Sequence, residues 1–403
     1  MAEDRRLVRR VVLRNYKSIA ACDVSPAQLT FLVGPNGSGK SNFLDALRFV
    51  CDSLGHSLDH ALRDRGGINE VRRRSSGHPT HFGMRVEFDV GVATGHFAFT
   101  VAAEQGGGYG LKEEECVVLP KDDAPAHYYR VSSGEVKSSA SPFPATSPHR
   151  LALVSASGLP AFRPVYDAFS RCGFYNLNPA AIRAMQSPDP GDLMNRDGSN
   201  VASVLDRIAQ RSPEAKRVIE EYLGKVVPGI AGVDRKSVGP VETLEFKQRV
   251  TGAQHPWRFY ASSMSDGTLR TVGLLVALFQ TNGSGGEGRS LVGVEEPEVA
   301  LHPAAAGIIA DALGDAAEGK QVLVTSHSAD LLDEEEIGGV SVLAVVSDDG
   351  ITRIGPLDEV GASVLRDHLY TAGELLRMDK REPDSILSRP TIRQRDLFGT
   401  NGP

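Results

Sequence analysis

The run Gly34-Pro35-Asn36-Gly37-Ser38-Gly39-Lys40-Ser41 constrains this chain more than any other stretch of it. It follows the apolar segment Leu29-Thr30-Phe31-Leu32-Val33 and leads into the helix-like Asn42-Phe43-Leu44-Asp45-Ala46-Leu47, which is the strand–loop–helix setting of a complete P-loop. Glycines let successive backbone N–H groups close on a polyphosphate. Lys40 supplies positive charge to the β- and γ-phosphates, and the Ser41 hydroxyl is suited to ligate Mg²⁺. The chain is therefore expected to bind a nucleoside triphosphate with Mg²⁺ through Asn36, Gly37, Ser38, Gly39, Lys40, Ser41 and, at the head of the helix, Asn42.

At 403 residues, with 41% hydrophobic and 24% charged residues, the chain exceeds one ordinary domain and has the composition of a globular protein with a sizeable core. No apolar run reaches spanning length, and Met1-Ala2-Glu3-Asp4-Arg5-Arg6 lacks a signal-peptide stretch, so a cytoplasmic protein without membrane contact is expected. Cys22, Cys51, Cys116 and Cys172 lie far apart with no Cys-x-x-Cys pair, which argues for reduced, inert thiols. Net charge is −7, yet residues 1–90 carry 14 Lys/Arg against 10 Asp/Glu. Arg5, Arg6, Arg9, Arg10 and Arg14 precede the P-loop and Arg63, Arg65, Arg72, Arg73 and Arg74 follow its helix, clusters that suit either phosphate neutralisation or a solvated face.

The pattern along the chain predicts an α/β fold. Val8 to Leu13 and Leu29 to Val33 read as strands of an N-terminal lobe segment, residues 1–90. His81 to Val90, His96 to Ala103, Tyr109 to Pro120 and Ala126 to Val136 read as antiparallel strands of a β-meander, so that residues 91–150 form a β-rich segment. After the Ser/Pro-rich loop Ser138 to Pro148, the stretches Ala161 to Arg171, Ser199 to Gln210 and Pro213 to Leu223 carry apolar residues at helical spacing, a helical insertion over residues 151–240. Strands at Val241 to Val250 and Trp257 to Ala261, a helix from Gly267 to Phe279, a Gly-rich loop Asn282 to Gly288 and a buried strand Ser290 to Val294 return the chain to the lobe over residues 241–355. Residues 356–403 are expected to form a helix around Gly361 to Met378 and a charged tail.

A second site element is Ser290-Leu291-Val292-Gly293-Val294-Glu295-Glu296-Pro297-Glu298, an apolar strand ending in two carboxylates, as a Walker B motif requires. Glu295 is assigned to the Mg²⁺ shell, and Glu296, projecting to the other side, to orienting and deprotonating the attacking water. A third is Gln321-Val322-Leu323-Val324-Thr325-Ser326-His327-Ser328. Ligands gather at the carboxyl ends of adjacent parallel strands, so this strand is expected to end beside the P-loop with the His327 imidazole toward the γ-phosphate. The catalytic set is thus Glu296, His327 and Lys40, and the metal set Ser41 and Glu295.

With these blocks in place, the chain resembles the ATP-binding-cassette-type ATPases of the SMC/RecF/OLD group, in their compact form annotated with AAA domains. Leu13-Arg14-Asn15-Tyr16-Lys17-Ser18-Ile19 is similar to that group's opening strand and turn. Glu295-Glu296-Pro297-Glu298 with Leu301-His302-Pro303 is similar to its Walker B and D-loop, and Thr325-Ser326-His327-Ser328 to its switch-histidine loop. Ser263-Met264-Ser265-Asp266-Gly267-Thr268-Leu269-Arg270 resembles its signature motif, with Ser-Asp-Gly-Thr in place of the commoner Ser-Gly-Gly-Gln; the same residues equally suit a plain N-capped helix. The resemblance implies a P-loop NTPase head of ABC type. It implies that Ser265 and Gly267 contact the γ-phosphate held by a second copy, that two chains sandwich two ATP molecules, and that Lys17 and Arg14 approach the nucleotide. A Q-loop is not placed; Gln186 is one candidate. No appended Toprim domain and no heptad-bearing arm are expected.

His56 and His60 sit four apart, a spacing open to a metal pair, but no acidic third ligand stands nearby. Tyr128-Tyr129-Arg130 suits a base-stacking strand or an ordinary core strand. Asn195-Arg196-Asp197-Gly198-Ser199-Asn200 reads as a turn with a helix cap and no chemistry. The sequence therefore points to an ATPase that dimerises on ATP and drives a DNA-linked process, in repair, maintenance or phage defence, through a separate nuclease-like effector. An ATP-dependent scaffold with little turnover and a transporter's ATPase subunit are the alternatives.

Overall fold

A computed structural model describes residues 4–75, 79–122, 124–280, 290–299, 302–333, 341–358, 374, 383–384, 387–388 and 392–398. The expected Gly-rich loop over 282–288, Leu301 and nearly all of the expected helix over 361–378 lie outside the described residues. The chain opens with β1 (Val8–Tyr16), β2 (Ile19–Val24), β3 (Leu29–Val33), α1 (Lys40–Gly55), α2 (Leu58–Arg63) and α3 (Ile68–Val71). Five antiparallel strands follow: β4 (His81–Asp89), β5 (Ala93–Glu104), β6 (Gly108–Pro120), β7 (His127–Ser132) and β8 (Glu135–Ser139). Then come α4 (Ala152–Ala156), α5 (Arg163–Ser170), β9 (Gly173–Tyr175), α6 (Pro179–Arg183), α7 (Val201–Arg211) and α8 (Pro213–Val226). The C-terminal half adds β10 (Ile230–Val238), β11 (Val241–Gln248), β12 (Trp257–Tyr260), α9 (Asp266–Phe279), β13 (Leu291–Glu295), α10 (Ala306–Gly319), β14 (Gln321–Ser326), α11 (Ala329–Leu332), β15 (Ser341–Asp348), β16 (Ile351–Pro356) and α12 (Gln394–Leu397).

Among the described residues, thirteen strands share one mixed sheet in the order β8-β7-β6-β5-β4-β1-β2-β16-β15-β3-β14-β13-β9, and β10-β11-β12 form a separate small sheet. The wing from β8 to β2 is antiparallel, whereas β15, β3, β14, β13 and β9 run parallel. The expected meander is present and continuous with the nucleotide-lobe sheet. The stretch expected as one strand from Ala126 to Val136 is instead a hairpin: Ser133 (φ 48) and Gly134 (φ 82) both take left-handed backbone, the requirement of a tight primed turn.

β3 is buried on both faces, as a strand in the middle of a parallel sheet must be. Its alternation divides the core. Leu32 joins Phe43, Leu44 and Leu47 of α1 on one face, while Phe31 and Val33 join Leu269, Val272 and Leu313 of α9 and α10 on the other. Phe43, Leu44 and Leu47 recur at helical spacing, and each fully buried side chain of this kind contributes about 2 kcal/mol through lost water contact. No helix among the described residues is long and apolar enough to cross a membrane. All four cysteines are free and buried.

Candidate functional site

The P-loop begins where β3 ends. A Cβ on Gly34 would stand 2.0 Å from the carbonyl oxygen of Val345 and 2.9 Å from Ser38 Oγ, so the loop passes too close to β15 for any side chain. Gly39, with φ at +106°, opens α1 in left-handed backbone, and a Cβ there would meet Thr352 Oγ1 at 2.1 Å. Asn36, Gly37 and Ser41 are exposed at the mouth of the loop, and Ser38 is buried with no hydrogen-bond partner for its Oγ. Lys40 is buried and curls back so that Nζ donates to the carbonyls of Gly34 (2.8 Å) and Pro35 (3.0 Å). A relay of hydroxyls braces the loop from behind: Asn42 Nδ2 donates to Ser18 Oγ (2.6 Å), Ser18 bonds Thr352 Oγ1 (2.7 Å), and Thr352 donates to the carbonyl of Ser38 (2.8 Å). The Asn42 side chain thus serves the loop's shape from the side of the β1–β2 turn.

Strand register sets the other elements level with this loop. In β14, Ser326 lies opposite Val33 of β3, and Thr325 lies opposite Glu295 of β13, so three strand ends share one row. Glu295 is mostly buried, and its Oε1 lies 2.5 Å from Nη2 of Arg196. Glu296 follows in left-handed backbone (φ 46), its N–H bonded to the Thr325 carbonyl at 2.9 Å. A non-glycine residue held there costs of order 1–2 kcal/mol, and such strain clusters at functional sites. The half-exposed Glu296 carboxylate reaches toward His327, with Oε1 3.5 Å from Nδ1. Beneath them, Glu298 Oε1 accepts Ser326 Oγ (2.7 Å) and the backbone N–H groups of His327 (3.1 Å) and Ser328 (3.2 Å), which ties the histidine loop to the turn after β13.

Other sequence candidates are placed elsewhere. Gln186 is buried, exchanges backbone hydrogen bonds with Glu242 and accepts the Ala202 N–H on Oε1, so it anchors α7 and is not a Q-loop residue. The polar residue that leaves the strand beside β13 is Asn176, at the end of β9. Lys17, also in left-handed backbone, ion-pairs Asp45 at 2.5 Å. Burial works to raise the Asp45 carboxyl, but the adjacent Arg65 guanidinium and Lys17 outweigh it and hold it at about 2. Arg14 lies within β1 between Ala21 and Gly83. Ser265 is the exposed N-cap of α9, accepting the Thr268 N–H at 3.2 Å, with Gly267 in the first turn and Asp266 paired to Arg183. His302 Nδ1 accepts the Ala304 N–H at 3.2 Å. His56 and His60 stack at 4.8 Å, and no cluster of three or more His, Cys, Asp or Glu side chains placed to hold a metal occurs among the described residues.

The basic clusters are largely neutralised from within. Arg6 and Arg9 pair with Asp4, Arg10 with Asp23 and Glu87, Arg63 with Asp59, Arg74 with Glu70, and the almost fully buried Arg65 with Asp45 and Asp52. Sequence reasoning missed the Arg196–Glu295 ion pair and the stapling role of Glu298.

No curated protein matches the sequence. Solved structures match in fold. The SMC head bound to the C-winged helix domain of ScpA is 15% identical with a TM-score of 0.55, covering 88% of this chain and 99% of that one. The Smc head domain with an extended coiled coil bound to the C-terminal domain of ScpA, derived from Pyrococcus furiosus, is 13% identical with a TM-score of 0.55, covering 90% of this chain and 99% of that one. The chain thus shares the mixed α/β fold of these SMC head domains. A family profile described as "AAA domain, putative AbiEii toxin, Type IV TA system" matches residues 29–105 and 185–333, more than half of the chain and including the P-loop, both carboxylates and His327. The protein is a member of this AAA-domain family.

Proposed function

We propose that the protein is an ATP-hydrolysing head of ABC type, in the SMC/RecF/OLD group, that dimerises on ATP and drives a separate effector. The observation that carries this reading is the row of strand ends: the P-loop after Val33, His327 after Ser326, and Glu295 with Glu296 side by side on neighbouring parallel strands. The residues suit the ligand. The loop is too tight for side chains at Gly34 and Gly39, a buried Ser38 hydroxyl lacks a partner, and Ser41 and Glu295 offer the hard oxygen donors that Mg²⁺ prefers.

When bound, Mg²⁺ would supply positive charge that neutralises the polyphosphate. Asn36, Gly37, Ser38 and Gly39 offer backbone N–H groups to the phosphates, and Lys40 exchanges its loop carbonyls for phosphate oxygens. Ser41 and Glu295 hold the metal. Glu296 takes the proton of the attacking water at its carboxylate, and His327, positioned through Glu298, orients that carboxylate and the γ-phosphate. Lys17 and Asn42 act from the loop's rear wall, Lys17 through Asp45. The exposed Ser265 and the partly buried Gly267, at the start of a 14-residue helix, complete the site of a second copy.

The SMC heads named above are bound to domains of ScpA, which is consistent with a head whose work passes to a separate partner. The toxin and type IV wording of the family's description favours defence over housekeeping repair. With most cluster arginines already paired, DNA contact would fall to residues such as Arg73, with weak, sequence-indifferent, salt-sensitive binding. Mg²⁺-dependent phosphate release by the purified protein tests the reading. No turnover together with no ATP-dependent dimer in a Glu296→Gln variant would sink it.

A further inference from the structure

Asn195-Arg196-Asp197-Gly198 folds as a turn that is fixed on both sides. The Gly198 N–H bonds the Asn195 carbonyl (2.9 Å), the Asn195 N–H bonds Asn200 Oδ1 (2.7 Å), and the Ser199 N–H bonds Asp197 Oδ1 (3.0 Å). Two further bonds stitch the turn to the exit of β9: Asn176 N–H to the Arg196 carbonyl (3.0 Å) and Asn178 N–H to the Asp197 carbonyl (3.1 Å). The backbone of Arg196 is held while its side chain, 43% exposed, reaches Glu295 Oε1 at 2.5 Å. Glu295 itself is only 14% exposed, and a carboxylate so enclosed, and so near the strand end that faces the P-loop, is costly without a cation. Beside the pair lies a cavity of about 490 Å³, bordered by Asn176, Asn178, Arg196, Asp197 and Arg270. Arg196 itself borders this cavity, and Asp197 on the same turn offers a carboxylate there.

We propose that Arg196 is a built-in counter-cation for Glu295 that exchanges with the metal. It neutralises the carboxylate while the site holds no Mg²⁺, and gives it up when Mg²⁺ arrives with the nucleotide, its side chain then occupying the neighbouring cavity. The guanidinium occupies Glu295 Oε1 and neutralises the charge that would attract a metal, so the two cations compete for the same carboxylate. Arg196 is in this sense a positioning residue. Its presence also admits a polyphosphate that carries no metal, because no bare carboxylate then faces the γ-phosphate. The proposal rests on the ATPase reading.

The test is equilibrium binding of a fluorescent ATP analogue to the wild-type chain, Arg196→Ala and Arg196→Lys, each with Mg²⁺ and with EDTA, beside thermal unfolding of the nucleotide-free proteins with and without Mg²⁺. Arg196→Ala is expected to bind the Mg²⁺ complex within about twofold of wild type but to lose about tenfold in metal-free affinity, with Arg196→Lys largely restoring it. Its melting temperature in EDTA should fall, and Mg²⁺ should recover the loss. Equal weakening of metal-free and Mg²⁺-complexed binding, or a melting temperature that Mg²⁺ does not restore, would reduce Arg196 to a structural ion pair and overturn the proposal. Failure of the wild-type chain to bind the analogue with Mg²⁺ would instead defeat the ATPase reading, and the Mg²⁺ dependence of unfolding would still decide whether Arg196 and the metal compete.

Discussion

His327 Nδ1 lies 3.5 Å from Glu296 Oε1, across two residues that leave neighbouring parallel strands one after the other. The pair is held from below, since Glu298 binds the backbone of His327 and Thr325 binds the backbone of Glu296. Removing the Glu296 carboxylate should therefore cost chemistry without cost to the phosphate cradle. Glu296→Gln is expected to keep ATP affinity and lose about 10²–10⁴-fold in turnover, measured by phosphate release. Lys40→Ala should lose binding itself, measured by the fluorescent analogue.

The left-handed backbone of Glu296 separates stability from activity. Glu296→Gly relieves the conformation and is expected to raise the free energy of unfolding by about 1 kcal/mol in denaturant titration while abolishing turnover. Glu296→Gln, which keeps the side-chain bulk, should show no such gain. A glycine variant less stable than wild type would mean that the side chain is itself a structural support.

Stability should also depend on pH through a group far from the nucleotide. Glu114 is fully buried; it accepts Tyr129 Oη at 2.6 Å and the N–H groups of Ala152 (2.6 Å) and Leu153 (2.8 Å). Burial outweighs these bonds and pushes its carboxyl up to about 7 from 4.5. With the folded value above the unfolded one, the folded chain binds the extra proton between those limits. The contribution is complete below about pH 4.5 and is lost as pH rises through about 7. From pH 5 to pH 8 this group should lower the unfolding free energy by about 2.5 kcal/mol, and Glu114→Gln should flatten that slope.

Completion of the site by a second copy has its own signature. A Ser265→Arg chain and a Lys40→Ala chain should each be inactive, and their mixture should regain activity, up to about a quarter of the wild-type level if chains pair at random and sites act independently. Light scattering should show an ATP-dependent dimer of Glu296→Gln. Hydrolysis in the mixture no higher than in the separate variants, with no such dimer, would remove Ser265 from the site.

What could be read in the sequence follows from where the physics is local. The P-loop, the carboxylates after Val294 and the histidine after Ser326 were legible because short-range patterns impose them: glycines where only hydrogen fits, and apolar strands ending abruptly in polar residues. Arg196 was passed over as a turn residue because its meaning comes from Glu295, 99 positions away. Arg65 looked like part of one basic patch because its neutralising partners, Asp45 and Asp52, lie on the helix before it. Gln186 drew attention by residue type alone, whereas its burial and its bonds to Glu242 and Ala202 depend on elements 16 or more residues away.

The P-loop strand has its two neighbours in β14 and β15, and its loop is braced by Thr352. The ribosome delivers residue 41 long before any of them; at about 5–20 residues per second, roughly 15–60 s separate it from residue 352. During that interval the nucleotide-binding sequence exists without the walls that give it shape. On the proposed reading, nucleotide capture is therefore a late event in the life of each chain, open only to molecules whose synthesis has passed β16.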